Sequence, residues 1–386
     1  MIRLRNIVFI AVLVAGLVHV SGDCMAQKPF FSEQRLYAPG DEGSSNWRIP
    51  ALLALSDSSL LIANDRRKHN EGDLPEDIDV VCRRSVDGGN TWGTMIYVAE
   101  GEGRGKGFGD PALVQCGGGD VLCLYAGGNG YFASFEEKPI RVYMSRSKVG
   151  GMTWEERQDL TKELWGSEAQ RPECRNYRGA FAASGNGLVL KKGPHKGRVL
   201  FAVAMCRVGS WTSDNFIVYS DDCGESWTVS ELAFSEGDEA KLLELESGDI
   251  LLSVRRSGER GWNLSKDGGE TWGTQGLWPE MKVNACNGDM LRLPKEVTGE
   301  SVDVLLHSVP NSMERRDVSL FVSYDEGKSW TDVVRLAEGP SVYSSLTLLH
   351  DGSIGAYLEK NPDGACELWF QHFNWQWIRS HKQKCK

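Results

Sequence analysis

The octapeptide SVDGGNTW occupies residues 85–92, and variants of it recur as SDDCGESW (220–227), SKDGGETW (265–272) and SYDEGKSW (323–330). A fifth copy, SKVGGMTW at 147–154, has valine in place of the aspartate. Each copy follows an apolar run, and the first four carry Ser, Asp, Gly and Trp at fixed offsets. Aspartate bonds back to nearby amides and glycine accepts positive φ, so the octapeptide predicts a tight hairpin turn with a tryptophan buried beside it.

Short apolar runs fill the chain between these turns, for example IRVYMSRS (140–147) and DILLSVRR (249–256). Helical periodicity is nearly absent, and LTKELW from Leu160 is the one candidate for a short helix. A dozen or more short strands separated by Asp-Gly and Gly-Gly turns indicate an all-β fold, either a sandwich or a closed radial array. The irregular spacing of the copies favours blades with loops of different length over a uniform solenoid.

The composition limits the classes of partner. The chain has 386 residues, of which 41% are hydrophobic and 25% charged, as in soluble proteins with a sizeable core. A formal charge of −10 argues against a nucleic-acid partner, because no basic face is implied. Any anion site must therefore be a local concentration of positive charge. No CxxC pair or histidine cluster suggests a metal site, and we expect neither a metal nor a cofactor.

The N-terminus has the layout of a secretory signal peptide. Arg3 and Arg5 precede an apolar run over residues 7–20, and small residues follow up to Ala26. The run is short for a membrane-spanning helix, and no later stretch is apolar enough to span a bilayer. We therefore expect a protein that is secreted, periplasmic or held at the cell surface.

Cleavage after Ala26, with Gly22 as the alternative, would leave residues 27–386 as a single catalytic domain. Cys24 raises the possibility of a lipid anchor, but the preceding aspartate fits such a site poorly. Cleavage would leave nine of the ten cysteines, an odd number that cannot all pair within one chain. We expect buried free thiols, such as Cys82 and Cys123 in their apolar runs.

The octapeptide resembles the Asp-box, or BNR repeat, of sialidases (neuraminidases), a group similar to glycoside hydrolase family 33. The resemblance implies a six-bladed β-propeller whose boxes lie at hairpin turns on the blade periphery, remote from the active site, although only five copies are visible. Non-enzymatic receptors and other glycosidases also carry such boxes. Function therefore depends on residues outside them.

Three arginines match positions that bind the sialic acid carboxylate in that family. Arg48, in SNWRIPALLAL, is similar to an aromatic-Arg-Ile-Pro signature. Arg255 follows Glu239 by sixteen positions, and Arg315 precedes the strand that leads into the last box. A planar guanidinium grips a carboxylate through two parallel hydrogen bonds, which lysine cannot reproduce. The neighbouring Arg256 is expected to face the opposite side of its strand.

The loop after the second strand resembles the acid/base segment of sialidases. Arg67 precedes Asp73 by six residues, as in bacterial and trypanosomal members. The resemblance implies that Arg67 contacts the substrate and that Asp73 is the acid/base catalyst, with Asp77 as the alternative in this carboxylate-rich loop. Asp110, before a proline at a strand entry, is implied to bind the substituents of the sugar ring.

Tyr343, in EGPSVYSS, matches the nucleophile of the family, and Glu239 matches its base. Sialic acid carries a carboxylate on its anomeric carbon, which would repel a carboxylate nucleophile. A neutral phenol with a nearby base avoids this repulsion, and a double displacement predicts retention of configuration. Glu244 and Glu246 are alternatives to Glu239, but strand alternation and solvent account for both.

Two further segments carry supporting residues. Glu359, at the end of the strand after Tyr343, is implied to orient Arg48 from behind. NACNGDMLRLP around Cys286 resembles a Cys-Gln-Gly-Ser stretch of some sialidases, but Asn287 and Asp289 replace the glutamine and serine. That departure leaves the substrate contact at this stretch open.

The sequence thus predicts a monomeric exo-α-sialidase that hydrolyses terminal α-linked sialic acids from glycoproteins, glycolipids or oligosaccharides. A trans-sialidase or intramolecular trans-sialidase would share these residues and differ in acceptor-side aromatics, for which Tyr131 and Phe132 are candidates. A non-catalytic sialic-acid-binding propeller would keep the arginines and lose Asp73, Glu239 or Tyr343. All three are present.

Overall fold

The computed structural model describes residues 28–362 and 364–385. The predicted signal peptide, its cleavage site after Ala26 and Cys24 lie outside these residues. Six sheets, each of four or five strands and almost entirely antiparallel, surround a common axis as a six-bladed β-propeller, which confirms the predicted fold.

The first strand, β1 (Phe31–Tyr37), belongs to the last blade. Blade 1 contains β2 (Asn46–Ala54), β3 (Leu60–Arg67), β4 (Ile78–Ser85) and β5 (Ile96–Ala99). Blade 2 contains β6 (Phe108–Gln115), β7 (Val121–Gly128), β8 (Ile140–Ser147) and β9 (Gln158–Asp159). Blade 3 contains β10 (Tyr177–Ala182), β12 (Leu188–Val189), β13 (Val199–Arg207), β14 (Ser213–Ser220) and β15 (Thr228–Val229), while β11 (Gly185–Asn186) pairs with β6 of blade 2.

Blade 4 contains β16 (Ala240–Glu244), β17 (Ile250–Val254), β18 (Gly258–Ser265) and β19 (Gly276–Val283). Blade 5 contains β20 (Asp289–Leu293), β21 (Val304–Pro310), β22 (Val318–Ser323), β23 (Asp332–Arg335) and β27 (Gln383–Lys384). Blade 6 contains β24 (Ser341–Leu348), β25 (Ile354–Lys360), β26 (Glu367–Phe373) and β1.

The helices are short: α1 (Thr161–Leu164), α2 (Lys295–Thr298) and α3 (Trp375–His381), with 3₁₀ turns at Asp41–Gly43, Tyr131–Ala133 and Pro172–Asn176. The short helix predicted near Leu160 is confirmed as α1, whereas α2 and α3 were not predicted. None of the described helices is long and apolar enough to cross a membrane.

The ring closes by strand pairing between distant parts of the chain. In blade 6, β1 runs antiparallel to β26, with Phe31 opposite Phe373. Each of the five octapeptides connects the third and fourth strands of its blade, beginning at the last residue of the third strand. In blade 6 these two strands, β26 and β1, lie far apart in the chain and share no hairpin. Five copies therefore accompany six blades.

The boxes have one hydrogen-bonding scheme. In the box of blade 1, the Ser85 hydroxyl donates to Asp87 at 2.8 Å and accepts from the amide of Gly89 at 2.9 Å. The Asp87 carboxylate also accepts from the amide of Thr91 at 2.9 Å and from its hydroxyl at 2.6 Å. The box of blade 2 keeps the serine–amide bond but has Val149 at the aspartate position.

The last glycine of a box touches the neighbouring blade. Gly89 has φ +89°, and a Cβ there would lie 2.2 Å from the ring of Phe370 in blade 6. The box tryptophan, Trp92, packs edge-on against the same ring, with centroids 5.3 Å apart. Glycine at this position therefore serves both the turn and the close approach of two blades.

The core is divided into layers between blades. Six large apolar clusters fill the six interfaces between adjacent blades of the described chain. Most strands are thus buried on both faces, which explains why their sequences are continuously apolar rather than alternating. Shape complementarity between successive sheets holds the ring together.

A disulfide joins Cys116 of blade 2 to Cys223 in the box of blade 3. This bond is not among the features predicted from the sequence. Cys82 and Cys123 are buried free thiols, as expected. The bond adds a covalent link between two blades that otherwise meet through apolar packing.

Candidate active site

A cavity of about 410 Å³ opens near the propeller axis. Seven predicted site residues line it: Arg48, Asp73, Asp110, Glu239, Arg255, Arg315 and Tyr343. Arg67 and Glu359 lie behind its wall rather than on it. Among the described residues, no group of three or more His, Cys, Asp or Glu side chains is arranged to hold a metal ion.

Bulges in the first strands of the blades aim side chains into this cavity. Ile49 and Asp110 have φ of +65° and +60°, and each precedes a proline at an irregular register in β2 or β6. β24 has a similar irregularity between Ser341 and Ser344, next to Tyr343. A β-branched residue at positive φ is a true outlier, and such strain costs roughly 1–3 kcal/mol. The inner strands thus depart from regular geometry where they meet the cavity.

Tyr343, Glu239 and Arg255 form a compact hydrogen-bonded group. The Tyr343 hydroxyl donates to Glu239 Oε2 at 2.5 Å and accepts from Arg255 Nη1 at 2.8 Å. Arg255 also contacts the Glu239 carboxylate directly. The predicted hairpin between Glu239 and Arg255 is confirmed, since β16 and β17 pair from Ala240 to Val254.

The environment of Tyr343 keeps its phenol neutral. Burial and the nearby Glu239 carboxylate raise its pKa well above the ordinary value, although Arg255 opposes the shift. Ionisation of this phenol therefore requires a base at the moment of reaction. Glu239 already accepts its hydrogen bond.

Glu359 fixes Arg48 from behind, in the position that the resemblance implies. Its fully buried carboxylate accepts from Arg48 Nε and Nη2, each at 3.1 Å. It also accepts from the amides of Ile49, at 2.8 Å, and Tyr343, at 3.2 Å. One carboxylate thus orients the guanidinium, the strained bulge and the backbone that carries the phenol.

The three arginines converge on the ring of Tyr343. The Cζ atoms of Arg48 and Arg315 lie 5.3 and 6.0 Å from the ring centroid, while Arg255 contacts the hydroxyl. Arg315 is exposed, and within the described chain its guanidinium makes one hydrogen bond, to the carbonyl of Ala285 at 3.3 Å. The site therefore combines two guanidiniums fixed by carboxylates with a third that is free to meet an anion.

Asp73 projects into the cavity mouth with its side chain 78% exposed. Its carboxylate accepts from Arg67 Nη2 at 2.6 Å. Desolvation in the mouth favours a higher pKa for Asp73, but the positive charges of Arg67 and Arg48 outweigh it and lower the pKa. The carboxyl is therefore ionised at neutral pH.

Arg67 is only 2% exposed and supports the cavity from below. Besides Asp73 it pairs with the buried Asp65 at 3.1 Å and contacts the carbonyl of Glu71. Direct contact between Arg67 and the substrate stays a prediction. Asp77, the alternative acid, pairs with Lys68 at 3.1 Å and does not line the cavity.

Asp110 lies on the wall with its backbone held in place. Its amide donates to Asp65 Oδ1 at 2.9 Å. Burial, together with the nearby Asp65 and Asp73 carboxylates, raises the pKa of Asp110 well above its ordinary value. A carboxyl that favours its protonated form can donate a hydrogen bond as well as accept one.

The wall between blades 2 and 3 is apolar. Tyr131 and Phe132, which the sequence analysis names as acceptor-side candidates, line it together with Ile140 and Phe181. Tyr131 packs edge-on against Phe181, with ring centroids 4.7 Å apart. Ile140 and Phe181 carry no motif, so sequence reasoning could not have assigned them to the site.

The remaining candidates lie elsewhere. Asn287 is buried and donates to the carbonyl of Ser184 at 3.1 Å, so it does not face the cavity. Glu244 accepts from two backbone amides, and Glu246 pairs with Lys192 at 2.7 Å. Sequence reasoning missed Asp238, which lines the cavity and pairs with Arg255 at 3.3 Å. Its position next to Glu239 was the available signal.

The fold is a six-bladed propeller, and its axial cavity holds a phenol, a base and three guanidiniums. This combination is typical of sialidases, and sequence comparison agrees. The model of the BNR repeat-like domain matches residues 68–356. A sialidase of Micromonospora viridifaciens is 31% identical over 369 residues, which cover 91% of this chain and 55% of the relative. A sialidase of Bacteroides fragilis is 27% identical, covering 83% of this chain and 61% of its own length. The chain belongs to the sialidase family, although it spans little more than half of these relatives.

Solved structures show the same architecture. The Hadza microbial sialidase Hz136 superposes with a TM-score of 0.78 at 26% identity, covering 90% of this chain and 69% of that one. The intramolecular trans-sialidase from Ruminococcus gnavus superposes with a TM-score of 0.75 at 18% identity, over 89% of this chain and 98% of that one. At that identity the second likeness concerns the fold alone.

Proposed function

We propose that this protein is a retaining exo-α-sialidase that releases terminal sialic acids from glycoproteins, glycolipids or oligosaccharides. One observation carries the proposal. The hydroxyl of Tyr343 donates to Glu239 and accepts from Arg255, inside a cavity where two further arginines face the same ring. A ligand with a carboxylate on its reacting carbon suits this site, because the arginines can bind the carboxylate while the Tyr343 hydroxyl attacks the carbon.

In the first step, the substrate carboxylate lies between Arg48, Arg255 and Arg315, which positions the anomeric carbon against Tyr343. The phenol oxygen bonds to that carbon as its proton passes to Glu239. The bond to the leaving oxygen breaks, and Asp73 supplies the proton that this oxygen takes up. The product is a sugar joined covalently to Tyr343.

Substrate binding also prepares Asp73 to act as an acid. Without substrate, the positive charges of Arg67 and Arg48 outweigh desolvation and lower the pKa of Asp73. A bound carboxylate adds negative charge beside Arg48 and Arg315 and so cancels part of their field at Asp73. Its pKa therefore rises on binding, which favours the protonated acid that the first step needs.

In the second step, water attacks the anomeric carbon from the side that the leaving group vacated. Asp73 takes a proton from the water, the bond to Tyr343 breaks, and Glu239 returns the proton to the phenolate. Two inversions give retention. Asp110, which can donate and accept hydrogen bonds, is proposed to bind a polar substituent of the sugar ring. The apolar patch at Ile140 and Phe181 is proposed to contact the methyl group of the sugar's acetamido substituent.

The test is a product analysis by NMR of 3′-sialyllactose incubated with the protein. Free sialic acid should appear first as its α-anomer and then mutarotate. An anhydro sugar or a sialylated acceptor as the main product would indicate transfer instead. Absence of any cleavage would contradict the proposal altogether.

We also propose that the protein works outside the cytoplasm, after cleavage near Ala26. The proposal rests on the N-terminal sequence and on the Cys116–Cys223 disulfide, since such bonds persist mainly in oxidising compartments. Mass spectrometry of the mature N-terminus in a secreting host checks it. An intact N-terminus in the cytosolic fraction would contradict it.

A further inference from the structure

A second groove, of about 420 Å³, adjoins the active-site cavity between blades 3 and 4. The two spaces share Phe132, Asp238 and Arg255. Trp211 and Arg256 line the groove but not the cavity. The cavity alone has the volume of a site for a small ligand, so the groove is additional space continuous with it.

The groove has an aromatic edge that is held in place. Trp211 is 77% exposed and Phe132 43% exposed, with ring centroids 5.5 Å apart. Arg178 lies 5.8 Å from the centroid of Trp211 and donates to the carbonyls of Phe132 and of Ser210, the latter at 2.9 Å. It thereby ties the loop of blade 2 to that of blade 3. The two aromatic side chains are therefore held in place before a ligand binds, unlike an isolated exposed side chain.

Arg256 supplies a free donor group. Within residues 28–362 and 364–385, its guanidinium makes no ion pair and no side-chain hydrogen bond, and its Cζ lies 5.9 Å from the ring centroid of Phe234. Arg255 lines both the groove and the cavity, whereas Arg256 lines the groove and not the cavity. A carbonyl or hydroxyl oxygen in the groove can accept from it.

The position of the groove indicates which part of a sialoside it meets. Asp73, the acid for the leaving oxygen, belongs to blade 1, on the opposite side of the ring from blade 4. The groove therefore does not hold the leaving group. In sialic acid the glycerol chain is next to the acetamido group. The apolar wall that carries the patch proposed for the acetyl methyl also contains Phe132, which lines the groove as well. We therefore infer that the glycerol chain of a bound sialoside is directed towards Trp211.

We propose that the groove binds an acyl group carried on the glycerol chain, so that O-acylated sialosides are substrates of this protein. Trp211 and Phe132 contact the acyl group, and Arg256 donates to its carbonyl. The inference rests on the proposed sialidase function. It extends that function to a class of substituted substrates that a closed cavity would reject.

The test compares two fluorogenic sialosides, one unsubstituted and one with a 9-acetamido group, which is a stable mimic of the 9-O-acetyl ester. In the parent protein we expect kcat/KM for the two to agree within about threefold. Trp211→Ala should lower the ratio of substituted to unsubstituted kcat/KM at least about fivefold, the size of a lost aromatic contact. Arg256→Met should lower the same ratio.

Phe135→Ala is the matched control, because Phe135 is a 47% exposed aromatic on the same blade 2 loop and lines neither space. Its ratio should equal that of the parent. Rejection of the 9-acetamido substrate by the parent, or an unchanged ratio in Trp211→Ala, overturns the inference while leaving the sialidase function standing. Failure to cleave either substrate overturns both.

Discussion

The axial cavity and the peripheral turns of this propeller are built on opposite principles. The turns repeat one arrangement of Ser, Asp and Gly, and each satisfies its polar groups locally. At the cavity each blade presents something different: a strained Ile49 beside Arg48 in blade 1, Asp110 in blade 2, Tyr343 in blade 6. The repeated turns thus stabilise the fold, whereas the residues that differ between blades form the candidate active site.

Among substitutions in the cavity, Tyr343→Phe is expected to have the largest effect on activity. It removes the attacking oxygen and leaves the ring, so kcat should fall about 10⁴-fold or more with an unchanged circular dichroism spectrum. Tyr219→Phe, on β14 away from the cavity, is the control and should keep full activity. Near-parental turnover by Tyr343→Phe would remove the phenol from the mechanism.

Asp73→Asn should lower kcat/KM for a natural sialoside about 10³-fold, because the leaving oxygen loses its proton donor. The loss should be smaller for a substrate with a nitrophenol leaving group, which needs little protonation. Since the acid form disappears as pH rises, the parent should lose activity towards alkaline pH. Asp77→Asn, on the same loop but paired with Lys68, should retain activity. Equal losses in both variants would contradict the assignment.

Glu359→Gln tests the support beneath the cavity. The Glu359 carboxylate is fully buried and the Arg48 side chain 16% exposed, so removing the carboxylate leaves the Arg48 charge without its partner. This should cost about 3 kcal/mol of unfolding free energy in urea and raise KM. Glu367→Gln is the matched control, since its partner Arg35 is 53% exposed and such pairs contribute under about 1 kcal/mol. Similar losses in both would show that burial does not distinguish them.

The smallest effect is expected in the turns. Desolvation opposes ionisation of Asp222, but hydrogen bonds from Ser226 and Ser220 lower its pKa to about 2. Because the folded pKa is depressed, its contribution is present above the unfolded pKa, about 4, and is lost as pH falls towards 2. Asp222→Asn should therefore destabilise the protein by about 1 kcal/mol at neutral pH and by less near pH 2.

The fifth box offers the reverse change. Val149→Asp restores the missing carboxylate beside Ser147 and Thr153, and should stabilise the protein by up to about 1 kcal/mol. Urea unfolding at pH 7 and pH 3 measures both variants. A loss of stability on adding this carboxylate would contradict the account of the box as a local hydrogen-bonded unit.

The same contrast explains what the sequence could predict. The boxes act within eight residues, so they predicted the turns and, by resemblance, the propeller. The residues of the cavity wall were found because the family repeats their order along the chain. The burial of Arg67 and the patch of Ile140 and Phe181 depend on blades meeting in space, and no local pattern encodes such contacts. The disulfide was missed for the same reason, since Cys116 and Cys223 are 107 positions apart.

Closure of blade 6 through β1 and β26 has a consequence for synthesis. Residue 31 leaves the ribosome long before residue 373, its partner, has been made. Until then the nascent chain exposes an unpaired strand edge at each end of the growing stack of blades, and such edges invite association with other chains. Ring closure is therefore a late step in folding. Because it joins residues far apart in the chain, it is also expected to be slow. Chaperones that shield strand edges should matter most before this step.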